Sequence, residues 1–103
     1  MKKINEFNVL RTETINLLLK KSKNIFSSKN EEEIKVFALL FSYAYSTLKH
    51  FIDFVKFTSA EVDTLYLALQ QINLSIVNND MNFSKFKAAI TIYRTFIDKT
   101  CYF

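Results

Sequence analysis

The chain has 103 residues, a length that fits one domain with its own core and no need of disulfide or metal staples. Half of it is hydrophobic and 16% aromatic, with eleven Phe, which excludes a disordered chain. A formal net charge of +4 permits an anionic partner without demanding one.

Gly and Pro are both absent. Hairpin-rich folds depend on these residues for tight turns, so an all-β architecture is excluded, whereas helices can be joined through Ser, Asn and Asp. The longest unbroken apolar run, Val36 to Phe41, is far shorter than the roughly 20 residues that cross a bilayer. The segment from Val36 to Val55 is long enough, but Lys49, His50 and Asp53 interrupt it. The Met1-Lys2-Lys3 opening leads into mixed polar sequence, so no secretory signal is expected. A single cysteine, Cys101, cannot form an internal disulfide. These features imply a cytoplasmic domain.

A first helix is expected from about Lys3 to Asn24, with Ile4, Phe7, Leu10, Leu17 and Leu18 on one face and Ile25 continuing it. Lys20, Lys21 and Lys23 fall late, where they suit the helix dipole. Ser27 to Asn30 reads as a polar turn. The second helix opens with a capping-box pattern, Ser28 with Glu31, and with the carboxylates Glu31, Glu32 and Glu33. Its seam, Ile34, Phe37, Phe41, Ala44, Leu48, Phe51 and Val55, is widened by Leu39, Leu40, Tyr43 and Ile52, marking it as the central, most buried helix.

Thr58 and Glu61 form a second capping-box pattern, opening a third helix with the seam Val62, Leu65, Leu69, Ile72 and Ile76. Leu67 and Leu74 lie near its opposite side, as either buried residues or a contact surface. Asn78-Asn79-Asp80 ends the helix, Asn being suited to a left-handed cap. The fourth helix begins near Asn82 with the seam Phe83, Phe86, Ile90, Tyr93 and Ile97, and a short aromatic tail, Tyr102 and Phe103, follows it. The fold class is all-α: one antiparallel four-helix bundle over residues 1–103.

Catalytic chemistry finds no foothold. One His and one Cys cannot supply a zinc set, and without Gly neither a phosphate loop nor a dinucleotide fingerprint forms. Glu31 to Glu33 are accounted for by the cap and dipole of their helix. No enzyme activity, cofactor or metal is expected, and the chain reads as a binding protein. The candidate partner surface comprises Lys85, Lys87, Arg94 and Lys99 outside the fourth-helix seam, Ile92 among them, and Tyr102 and Phe103 beyond its end.

At Lys56 to Leu65 the chain reads Lys-Phe-Thr-Ser-Ala-Glu-Val-Asp-Thr-Leu. This stretch resembles the start of the third helix in the immunity proteins for class IIa, pediocin-like bacteriocins, of the enterocin A immunity type. The length, the lysine-rich start, the four helices, the polar break at Asn78 to Asp80 and the aromatic end agree with that family. The resemblance implies a cytosolic bundle that protects its producer from a pore-forming peptide. The implied partner is the membrane-embedded mannose phosphotransferase permease with bound bacteriocin, met at its cytosolic side, with peripheral contact at the inner membrane face. The C-terminal half would carry recognition, and no nucleic acid is expected. The alternative is a small helical regulator or phage-type inhibitor that binds nucleic acid or a nuclease.

Overall fold

The computed structural model describes residues 2–28, 30–50, 52–78 and 84–100. They form α1 (Lys2–Ser28), α2 (Glu31–Lys49), a single 3-10 turn (Phe54–Lys56), α3 (Ser59–Val77) and α4 (Ser84–Thr100). The all-α four-helix bundle read from the sequence is what the chain adopts. At about 1.5 Å per residue, the length of α1 accounts for most of the 44 Å long axis.

Consecutive helices run antiparallel and make two hairpins, α1–α2 and α3–α4. The hairpins pack so that α1 lies beside α3, both running the same way. Asn73 Nδ2 donates to Thr14 Oγ1 at 2.9 Å, and Lys21 Nζ donates to the Val77 carbonyl at 3.1 Å. Lys21 therefore serves the C-terminus of α3, where unpaired carbonyls accumulate. On the other side α4 packs against α3 most extensively and touches α2 more lightly.

α3 is consequently the central helix, in place of the second helix that the seam pattern favours. It buries Val62, Leu65, Ala68, Leu69, Ile72, Ser75 and Ile76. Among the described side chains of α2 only Ala44, Thr47 and Leu48 are buried, while Leu39 and Tyr43 are exposed. The core joins Phe7 and Leu18 from α1 with Phe86, Ile90, Tyr93 and Ile97 from α4 around the α3 seam. Phe7 holds it together as an aromatic hub, edge-on to Phe54 at 5.1 Å and stacked on Tyr93 at 6.0 Å.

Several boundaries move. α1 runs through Ser28, since nothing in Ser27-Ser28 forces a helix to stop. Ser28 is thus not the cap of α2: the Asn30 carbonyl accepts from the Ile34 amide at 3.0 Å, so Asn30 holds that place. The second-helix seam breaks at Lys49 instead of continuing to Val55, which is 91% exposed. Asp53 competes with the helix there, its carboxylate accepting from the Val55 amide at 3.2 Å and capping the 3-10 turn. Ile52 stays buried despite the break.

The cap at Thr58 forms as read. Its hydroxyl accepts from the Glu61 amide at 3.2 Å, and the Glu61 carboxylate accepts from the Thr58 amide at 3.0 Å. Asn78 caps α3 at φ −89°, not in the left-handed region, and its amide donates to the Leu74 carbonyl at 2.9 Å. The first described residue of α4 is Ser84; Asn79 to Phe83, including the expected start at Asn82, lie outside the described residues.

Candidate functional site

Helical geometry divides the candidate cations of α4 between two flanks. At about 100° per residue, Lys87 and Arg94 fall on the side toward α2, and Lys85, Ile92 and Lys99 on the side toward α3. The contacts bear this out. Arg94 Nη1 donates to Thr47 Oγ1 of α2 at 3.0 Å, with the guanidinium 5.0 Å from the Tyr43 ring. Lys99 Nζ meets Glu61 of α3 at 2.6 Å and lies 5.4 Å from the Phe96 ring.

The single basic outer face read from the sequence is therefore corrected to two edges, each partly spent inside the bundle. Arg94 is half-buried and ties α4 to α2, and Lys99 ties α4 to the capped start of α3. Lys85 and Lys87 are exposed and make no ion pair with a described residue. Ile92 is 43% exposed and stands seven residues from both Lys85 and Lys99, in a cation, isoleucine, cation stripe. Tyr102 and Phe103, and Cys101 before them, lie outside the described residues.

Leu67 and Leu74 are not buried: they are 64% and 52% exposed. Both project from α3 opposite its core seam, and Val77 extends the line. An apolar line along the central helix is the most coherent exposed apolar surface on the last two helices. Val77 and the exposed Val9 of α1 were not singled out by sequence reasoning. The same turn-by-turn arithmetic that isolates Leu67 would have found them.

The acidity of Glu61 responds to this architecture. The hydrogen bond from Lys99, and then that from the Thr58 amide, hold it below the ordinary carboxylate range. In the core, burial pushes the Tyr93 hydroxyl well above the usual tyrosine range, against the opposing pull of the Arg11 guanidinium. That hydroxyl forms no hydrogen bond of good geometry.

Among the described residues no group of three or more His, Cys, Asp or Glu is placed to hold a metal ion. Nor is any helix, over the same residues, long and apolar enough to cross a membrane. The arrangement offers apolar contact area edged by cations, which is suited to binding another macromolecule. Compared with protein-family models, with curated proteins and with solved structures, the chain matches none.

Proposed function

We propose that this chain is a binding protein whose partner meets the outward side of its last two helices, and that it acts as a bacteriocin immunity protein. The observation that carries the reading is the exposure of Leu67 and Leu74 on α3 and of Ile92 on α4, with the exposed cation Lys85 seven residues before Ile92 on the same side of its helix. Apolar side chains held outward on rigid helices, with cations at the rim, make a contact surface at low conformational cost. The resemblance at Lys56 to Leu65 supplies the partner: a mannose phosphotransferase permease that holds a pediocin-like peptide, approached from the cytoplasm. Lys85, on the α3 side of α4, would face the anionic membrane surface or acidic permease loops.

Nucleic acid fits this surface less well. A phosphate-tracking face needs a continuous row of free cations, whereas Arg94 and Lys99 are engaged with α2 and α3.

The test is expression of the chain in a sensitive strain, followed by challenge with a panel of pediocin-like peptides. Protection against at least one peptide is expected, at protein levels that leave growth unchanged. Sensitivity to the whole panel, with the folded protein accumulating in the cell, would overturn the reading.

A further inference from the structure

We infer that the shallow groove between α1 and α3 is a second docking site, one that takes a basic amphipathic peptide segment. The groove lies on a different face from the α3–α4 surface and does not rest on the function proposed above. Its floor is apolar, formed by Val9, Leu10 and Tyr66, and Val9 is 58% exposed there. Glu6 and Glu13 bracket that floor from α1, and Asn5 closes one end.

Neither carboxylate is paired with a described side chain. Seven residues separate them, about 10.5 Å along the helix axis. That distance is too long for both to ligate one cation at the roughly 2.5 Å that a calcium–oxygen bond requires, so the pair is not a metal site. The groove is open, so it does not enclose a small cofactor.

Charge selects the occupant. In a chain of net charge +4, two acids that pair with no described side chain stand over exposed apolar surface. Phosphate or an anionic lipid surface is repelled from them, and a cationic segment is attracted. A helix with two cations seven residues apart and an apolar side chain between them reproduces the spacing in complement: lysine to Glu6, leucine over Val9 and Leu10 against Tyr66, lysine to Glu13.

The experiment titrates the full chain with a short synthetic helix of that pattern, read by amide NMR shifts and repeated with the lysines of the peptide changed to glutamate. Shifts centred on Asn5 to Glu13 and on Tyr66 are expected with the lysine peptide and not with its acidic counterpart. In a Glu6→Gln, Glu13→Gln double variant the affinity should fall roughly tenfold, through loss of two exposed ion pairs. Val9→Ser, at an exposed position that folding does not need, should weaken binding as well. Unchanged affinity in the double variant, or shifts centred on Leu67, Leu74 and Ile92, would overturn the proposal. So would self-association of the free chain that the double variant abolishes, since the occupant would then be a second copy.

Discussion

Arg94 of α4 and Thr47 of α2 share a hydrogen bond of 3.0 Å across the lightest of the main helix contacts in the bundle. Thr47 is buried, and its own hydroxyl donates to the Tyr43 carbonyl at 2.7 Å, so the guanidinium completes a polar link that already has one anchor. Arg94→Ala should therefore cost about 1 kcal/mol, below the roughly 1.5–3 kcal/mol of a hydrogen bond to a charged group, because Thr47 keeps its other bond. For a domain of this size that amounts to a melting shift of roughly 4–8 °C. Urea unfolding of Arg94→Ala, Thr47→Val and the double variant gives the coupling between them; strict additivity would mean that the bond carries nothing.

Lys99 and Glu61 give a pH-dependent link on the opposite flank of α4. The carboxyl of Glu61 is held below its ordinary value of 4.5 in the folded chain, so the unfolded chain binds its proton first as pH falls. The stabilisation is complete above pH 4.5, fades below it and is gone once pH passes the lowered folded value. Glu61→Gln should melt lower than the parent at pH 7, and the gap should close in acid. A gap that persists unchanged at pH 2 would assign the loss to the Thr58 cap alone.

Tyr93 buries a hydroxyl that makes no hydrogen bond of good geometry, with the Arg11 guanidinium beside it. Tyr93→Phe should leave stability at pH 7 unchanged or raise it by up to about 1 kcal/mol, since an unsatisfied polar group is removed and the ring packing against Phe7 is kept. The raised pKa also has a sign. The unfolded chain ionises this tyrosine above about pH 10 and the folded chain does not, so stability falls as pH rises past that point. Urea midpoints at neutral and alkaline pH should show a smaller alkaline loss in Tyr93→Phe than in the parent.

Core substitutions separate the true centre from its margin. Phe86 is fully buried among the residues of α3 and α4, and Phe86→Ala should cost about 3–5 kcal/mol through lost burial and a residual cavity. Phe41 lies mid-seam in the sequence pattern, yet it is only partly buried, stacked on Tyr45 at 5.5 Å. Phe41→Ala should cost distinctly less than Phe86→Ala in thermal and urea unfolding, and equal costs would restore α2 to the centre.

Leu67→Ser with Leu74→Ser tests the proposed partner surface. Both side chains project into solvent, so stability should stay within about 0.5 kcal/mol of the parent, whereas protection against the cognate peptide should be lost. Full protection by the folded double variant would move recognition away from α3.

The helices themselves, the Thr58 and Glu61 cap and the placing of Leu67 and Leu74 opposite the third-helix seam were all present in the sequence, because each depends on residues within one or two turns of each other. A three-four spacing states which side of a helix seeks burial, and the absence of Gly and Pro removes the competing turns. Periodicity does not state which neighbour covers that side. That choice came from the docking of two hairpins, which set α3 between α1 and α4 and left α2 at the margin. The same docking turned Arg94 toward Thr47, 47 positions away in the chain, and Lys99 toward Glu61, 38 positions away. A long cation at the edge of a seam has the same local pattern whether it reaches solvent, a partner or another helix. Only the register between hairpins decides, since a side chain can bond what lies within about 3 Å of its tip and the sequence carries no such distance.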